Sequence, residues 1–307
     1  MTRSDTASAA LPCHRVPRRT ARRLALGLVA PLLLGAAVSA VRAEGLDVTY
    51  VGNSGFLVAA GETKVLIDGL FREGVEGYAT IPEKVLGKAE QAQPPFDGVD
   101  LVLATHYHAD HFDAAAVTRH LAANPQATFI STPQAVDRLR ATVENFETFA
   151  PRVRAELPAE GKTIEIPVGD IRVRVLNLHH GRDSDVQNIG FVVTLGGETF
   201  THFGDTQASY QEIGAHRLFL EPIDIAFVGY WDLQSGTRRR VYHDNVGADR
   251  IVAMHLPVAG APSSYFGDAA SLDEAIAEIH RAMPDVVVFR EPLETKHILP
   301  PDDDKEG

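Results

Sequence analysis

The sequence predicts a mixed α/β fold in which two hairpin-rich halves, each followed by helices, place two sheets face to face with the helices outside. Three observations carry this reading. Short runs rich in Val, Ile and Leu, separated by Gly, Asn and Asp turns, begin at Leu46 and begin again near Lys162. Stretches with apolar residues at helical spacing follow each set of runs. The 264 residues that remain after an N-terminal leader are enough to bury one core.

The leader is residues 1–43. Arg15 to Arg23 hold five arginines, and Leu24 to Val38 is an apolar run without charge. That is the basic and apolar pattern of a secretory signal, too short for a comfortable membrane span, with an uncleaved anchor as the alternative. Val41-Arg42-Ala43 is the expected cleavage site and Val38-Ser39-Ala40 its competitor. Arg22-Arg23 faintly resembles a twin-arginine signal. The expectation is an exported protein, periplasmic or extracellular.

Residues 44–299 then form the expected domain. Leu46 to Val51, Gly55 to Ala59 and Lys64 to Ile67 read as a meander of three strands, with turns at Gly52-Asn53 and Gly61-Glu62. Asp68 closes the third strand, either as a plain turn former or as a carboxylate supporting a metal loop from behind. Residues 71–98, with Gly74, Gly77 and Pro94-Pro95, form a long excursion of the kind that holds substrate contacts. Val99 to Ala104 is a buried strand. Asp113 can cap a helix to about Ala122, Ala127 to Ile130 is a strand, and Thr132 with Pro133 opens a helix to about Val143. Lys162 to Ile166 and Ile171 to Leu178 pair through Gly169-Asp170, and Gly190 to Leu195 and Thr199 to Phe203 pair through Gly196-Gly197. Ile223 to Val228, Arg250 to Met254 and Val286 to Phe289 are further strands, and Leu272 to Met283 is an amphipathic helix. Residues 300–307 are an acidic tail, expected to be disordered.

Composition excludes several functions. Without the leader, which holds seven arginines and one aspartate, 22 basic and 40 acidic side chains remain, a formal balance of −18. Such a surface repels phosphate backbones and anionic lipid, so neither nucleic acid nor a stable membrane partner is expected, and a small-molecule substrate is. Arg238-Arg239-Arg240 is the one basic patch and reads as a solvated loop. The sole cysteine, Cys13, lies in the leader, which leaves no disulfide, thiolate ligand or thiol nucleophile in the domain. Oligomeric state is not encoded in any of these features.

The densest chemistry is Thr105-His106-Tyr107-His108-Ala109-Asp110-His111-Phe112-Asp113, three imidazoles and two carboxylates directly after a strand. Neutral imidazole and ionised carboxylate are the donors that suit Zn²⁺ and its first-row neighbours. Three more strand ends carry the same residue types: His179-His180 after Leu178, Asp205 in His202-Phe203-Gly204-Asp205, and His255 after Met254. Recurrence at four strands implies edges that converge on one site. His120, His216, His243, His280 and His297 lack such a context.

With H-x-H-x-D-H at 106–111, a His before Gly181, Gly204-Asp205-Thr206 and the terminal His255, the chain resembles the metallo-β-lactamase fold superfamily of metal-dependent hydrolases. Asn53-Ser54-Gly55-Phe56, Leu66-Ile67-Asp68 and Ile251 to His255 look most like its ascorbate-6-phosphate-lactonase-like branch. The resemblance implies a four-layer αββα sandwich with two metal ions at one sheet edge. By motif position His106, His108 and one of His179 or His180 would hold the first ion, with His180 preferred for its place before Gly181. Asp110, His111 and His255 would hold the second and Asp205 would bridge. Asp110 would also orient the attacking hydroxide and relay a proton. Zinc is the expected metal, with iron or manganese as alternatives. Two cations a few Å apart lower the pKa of a bridging water and polarise a scissile carbonyl or phosphoryl group. The implied function is hydrolysis of a small lactone, ester, amide or phosphoester. A phosphodiesterase of the same fold and a non-catalytic metal- or ligand-binding module are the alternatives. Tyr107, Tyr230, Trp231 and Tyr265 are candidate substrate walls, and Arg182 a candidate anion contact.

Overall fold

Two seven-stranded sheets, each covered by helices on its outer face, account for the computed structural model, which describes residues 45–299 apart from Arg182, Asp268 and the side chain of Ser263. The expected signal segment, the acidic tail and the Arg182 anion contact lie outside the described residues.

The first half runs β1 (Leu46–Gly52), β2 (Gly55–Ala60), β3 (Thr63–Ile67), α1 (Glu83–Glu90), β4 (Leu101–Leu103), α2 (Ala114–Ala123), β5 (Thr128–Ser131), α3 (Pro133–Thr142) and β6 (Val153–Ala155). The second runs β7 (Thr163–Val168), β8 (Ile171–Asn177), β9 (Ile189–Leu195), β10 (Glu198–His202), α4 (Tyr210–Ala215), β11 (Ile225–Gly229), α5 (Tyr230–Gln234), α6 (Gly236–Asn245), β12 (Arg250–Met254), α7 (Leu272–Ala282) and β13 (Val287–Val288). A last strand, β14 (Thr295–Ile298), returns to the first sheet and pairs antiparallel with β1.

Strand order is β14-β1-β2-β3-β4-β5-β6 in one sheet and β13-β12-β11-β10-β9-β8-β7 in the other. Alternation along the strands divides the apolar residues between two layers, as a sheet with both faces buried requires. Val48, Phe56, Val65 and Leu103 face Val175, Phe191, Phe200, Phe227 and Val252 in the core between the sheets, with the Phe56 and Phe227 rings 4.6 Å apart. Val51, Leu57, Leu66 and Phe129 turn outward against Leu86, Val117, Leu121 and Leu139 of α1, α2 and α3. Leu176, Val192, Ala226 and Ala253 do the same against Ile213, Leu233, Tyr242 and Ile279 of α4 to α7. The αββα sandwich expected from the resemblance is therefore the fold.

The anticipated caps are in place. Asp113 accepts from the Ala116 N–H at 2.7 Å, and Thr132 accepts from Ala135 with Pro133 in the first turn. Several elements differ from expectation. The excursion 71–98 contains α1 and is tied down by the Glu90 carboxylate, which Arg72 and Arg119 both reach. Arg238 to Arg240 lie on helix α6, not in a loop, because Val241 and Tyr242 on the same helix are buried against the outer core. The short strands β6 and β14 have no apolar run of their own; each is recruited by an edge neighbour, β5 and β1 respectively. Among the described residues no helix is long and apolar enough to cross a membrane.

Candidate metal centre

Strand direction is what assembles the site. β3 to β6 run parallel to one another, and β1 shares their direction because both β1 and β3 are antiparallel to β2. In the second sheet β10, β11 and β12 are parallel, and β8 shares their direction through β9. Segments leaving β1, β3, β4, β8, β10 and β12 thus emerge at one edge of the sandwich. The side chains there are Asn53, Asp68, the 106–111 loop, His180, Asp205 and His255. In open α/β sheets the carboxyl ends of strands are the usual place for a ligand.

Seven expected residues come together at that edge in three overlapping groups, each with donor atoms within 4.8 Å of one another: His106, His108 and His180; His106, His111 and Asp205; Asp110, His111 and His255. Asp205 stands between the other two sets. Its Oδ2 is 4.0 Å from His106 Nε2, 3.8 Å from His180 Nε2 and 3.3 Å from His255 Nε2, and its Oδ1 is 3.3 Å from His111 Nε2. His255 Nε2 also lies 3.2 Å from Asp110 Oδ2. Two closely spaced His/Asp clusters of this kind have the capacity for a pair of divalent ions.

The electrostatics fit that load. Burial, together with the charge of His111, holds His106 well below the ordinary imidazole range, and burial lowers His108 and His180. Those rings are neutral near pH 7, the form that donates a lone pair. Burial opposes protonation of His111, but the Asp205 and Asp68 carboxylates outweigh it and raise its pKa well above the usual value. Asp205 shows the converse. Burial favours its neutral form, yet His111 and His255 hold it well below the carboxylate range. His111 Nε2, His180 Nε2, His255 Nε2 and Asp205 Oδ1 are buried atoms without a hydrogen-bond partner. Orphaned donors and acceptors pointing at one spot are costly unless a ligand satisfies them, and a cation is the ligand that this set fits.

A layer of polar groups aims the cluster. Asp68, 1% exposed, accepts from the Thr105 N–H and the Thr105 hydroxyl, and its Oδ2 lies 2.8 Å from His111 Nδ1. A proton on Nδ1 leaves Nε2 free to face the centre. Of the two readings of Asp68, the supporting carboxylate describes these contacts. Asn53 donates from Nδ2 to Asp110 Oδ2 at 3.0 Å, and its carbonyl accepts from the His255 N–H. Asn188 donates to the carbonyls of Leu178 and Phe203 and accepts from the Asp205 N–H, tying two strand ends together. Asp205 is reached through Gly204, where φ is +58° and a Cβ would sit 2.3 Å from Asn188 Oδ1, so only glycine allows the approach. Asn53, Asp68 and His255 are themselves left-handed, with φ of 48°, 45° and 59°. Such strain gathers at sites that the surrounding fold over-determines.

The structure separates the two neighbouring histidines. His180 joins His106 and His108, whereas His179 turns away with Nε2 3.3 Å from Glu212 Oε2. His202 is outside the cluster: its Nε2 donates to the Ser54 carbonyl and its Nδ1 accepts from Gly204, a link between the sheets. His120 is packed in α2 with Nδ1 2.6 Å from the Ala89 carbonyl. Of the expected walls, the Trp231 ring lies 5.0 Å from His255 and Tyr107 lies 5.4 Å from His108 beneath the Arg138 guanidinium. Tyr230 is buried and donates to the Tyr265 carbonyl. Tyr78, not singled out in the sequence, sits edge-on to His255 at 4.1 Å and beside Tyr265 at 5.1 Å. Burial, with Tyr265 and the two aspartates nearby, pushes its phenol up to about 12. Its only sequence signal is membership of the long excursion. A cavity of about 450 Å³ adjoins the cluster, lined by His180, Asp205, Gln207, Trp231 and Arg238 among others.

Comparison with known proteins agrees with this geometry. Residues 63–261 match the family model described as the beta-lactamase superfamily domain. A "UPF0173 metal-dependent hydrolase" of Nitratidesulfovibrio vulgaris strain DP4 is 32% identical over 174 residues, 52% of this chain and 58% of the relative. The protein of the same description from Heliobacterium modesticaldum is 32% identical over 175 residues, 52% of this chain and 60% of the relative. The chain thus spans about three fifths of the length of these curated relatives. Among solved structures, a possible metal-dependent hydrolase from Veillonella parvula superimposes with a TM-score of 0.55 at 17% identity, covering 82% of this chain and 99% of that one. That likeness speaks for the fold alone.

Proposed function

The chain belongs to the beta-lactamase superfamily, and from that premise we propose an exported hydrolase that holds two divalent ions, zinc foremost and iron or manganese as alternatives, and cleaves a small lactone, ester, amide or phosphoester. The observation that carries the proposal is the set of orphaned buried atoms on His111, His180, His255 and Asp205, all within three overlapping His/Asp groups. His106, His108 and His180 would hold one ion, Asp110, His111 and His255 the other, and Asp205 would touch both. When bound, such a pair supplies an activated water and polarises the scissile oxygen. The lactone class rests on the motif likeness around Asn53 and Asp68. Export rests on the leader composition.

The chain's own residues prepare that chemistry. Asp68 fixes His111 through Nδ1, and Asn53 fixes Asp110 through Oδ2. Asp110 would orient an attacking water and relay its proton toward a leaving group. Tyr78 and Trp231 flank His255 with their ring centroids 4.1 and 5.0 Å from its own.

Metal analysis of the purified protein, followed by a panel of lactone, phosphodiester and β-lactam substrates, tests the reading. Two ions per chain with turnover of at least one class is the expected result. About two ions with no turnover on the panel would favour a metal- or ligand-binding module. A His108→Ala variant that kept full activity in chelator-treated buffer would overturn the site assignment.

A further inference from the structure

Three consecutive arginines on α6 have three different fates. Arg240 is in solvent beside Asp244, and Arg239 donates to the Leu233 carbonyl at the end of α5. Arg238 turns instead to the cavity that also holds His180 and Asp205. It is held from behind as a rigid fork. Its Nε and Nη2 donate to the two oxygens of Asp232 at 2.8 and 3.0 Å, and its Nη1 donates to the Ala208 carbonyl at 2.8 Å. A guanidinium has five N–H groups. Three are used by these contacts, so one on Nη1 and one on Nη2 remain.

Charge lies on the same side. Both members of the pair line the cavity, and with side-chain exposures of 27% for Arg238 and 4% for Asp232 the cation is the more accessible of the two. Tyr242 donates to the same Asp232 oxygen and draws that charge further toward the core. The domain as a whole is strongly acidic, which disfavours an approaching anion. That field is screened over about 8 Å at physiological salt, so the local charges count for more, and among the described residues Arg238 is the one cation beside Asp205 and Asp232 in the cavity lining.

We propose that Arg238 is a substrate-binding residue that takes a carboxylate on the non-reacting end of the substrate. Resting on the hydrolase reading of the adjoining centre, this narrows the substrates to small molecules with a carboxylate remote from the bond cleaved. A planar cation with an N–H left on each terminal nitrogen can offer both to the oxygens of one carboxylate, an arrangement that lysine cannot reproduce. A cavity of about 450 Å³ accommodates a molecule that reaches from Arg238 to the His180 and Asp205 edge of the centre.

The test uses a matched pair, 4-nitrophenyl hemiglutarate and its methyl ester, with the metal-loaded protein. Wild type is expected to prefer the free carboxylate by about tenfold or more in kcat/KM, carried by KM, the scale of a charged hydrogen bond. Arg238→Gln combined with Asp232→Asn, which leaves no buried charge unpaired, is expected to bring the ratio close to one. Arg238→Lys should give an intermediate ratio. A wild type without preference, or a double variant that keeps it, overturns the proposal. If wild type turns over neither ester, the hydrolase reading fails for this class, and Arg238 is tested by calorimetry with monomethyl glutarate. Binding to wild type that is about tenfold weaker in the double variant supports the carboxylate site; equal binding, or none to wild type, overturns it.

Discussion

Replacing Asp68 by Asn probes the centre from behind without touching any residue that faces it. The Asp68 carboxylate is buried and has three contacts of 2.8 Å: the Thr105 N–H and hydroxyl, which donate to it, and His111 Nδ1. Asparagine keeps the volume and one acceptor, which the Thr105 N–H claims. Its NH2 group then faces His111 Nδ1, which must accept instead of donate. The imidazole proton moves to Nε2, the atom 3.3 Å from Asp205 Oδ1, and that nitrogen loses its lone pair for a metal. Restoring the lone pair costs about one charge-assisted hydrogen bond, roughly 1.5–3 kcal/mol. A loss of metal affinity of roughly 10- to 100-fold follows, confined to the ion that His111 would hold. Metal content measured against a buffered zinc series reads this directly. The variant should hold one ion per chain at a free zinc concentration where wild type holds two, with hydrolysis falling in step. A variant with the wild-type zinc isotherm would refute the assignment of His111 Nε2 as a ligand.

Paired variants at the adjacent histidines separate their roles: His180→Ala should lose an ion under conditions where His179→Ala, whose ring faces Glu212, keeps both, and equal metal loss would contradict the assignment. His202→Leu leaves the Ser54 carbonyl and the Gly204 N–H buried without partners, a cost of about 1–3 kcal/mol for each unsatisfied group, so calorimetry of the metal-loaded protein should show a lower Tm. An unchanged Tm would remove His202 as a tie between the sheets. Burial works against the charge of Glu212, but the Ser209 N–H and hydroxyl and His179 outweigh it and lower its pKa to about 2. A depressed carboxylate stabilises the fold above its ordinary pKa of 4.5 and loses that contribution as pH falls toward about 2. Urea titrations across that window should therefore show a shallower acid loss for Glu212→Gln than for wild type, and equal slopes would refute the linkage.

Local patterns made much of this molecule legible in its sequence. The meander of β1 to β3 and the hairpin of β9 and β10 announce themselves because their alternation and glycine turns are contained within a few residues. The 106–111 loop is dense enough to be read without a partner. Elements whose stability is tertiary were not legible. Helix α6 is mostly polar and is held by Val241, Tyr242 and the Arg238–Asp232 fork, none of which shows as a periodic stripe. The pairing of β14 with β1 joins residues about 250 positions apart in sequence. Asn53 reads in the sequence as a turn residue and part of a motif likeness and Asn188 carries no signal, since only the parallel course of the strand ends makes their amides face Asp110 and the Asp205 backbone. The choice between His179 and His180 was open because β8 ends at Asn177, so strand alternation no longer governs either ring.

The partition of the cluster between sheets has a thermodynamic consequence. His106, His108, Asp110 and His111 leave β4 of one sheet, whereas His180, Asp205 and His255 leave strands of the other. Each of the three groups draws on both sheets, through His180, Asp205 and His255 respectively. Neither half alone can present a complete set of donors. Ion binding is thus linked to the docking of the sheets, and linkage is reciprocal. A substitution in the inter-sheet core, such as one that loosens the Phe56 and Phe227 contact, would register as weaker metal affinity. Bound ions would in turn act as a rivet that holds the two hairpin-rich halves in register.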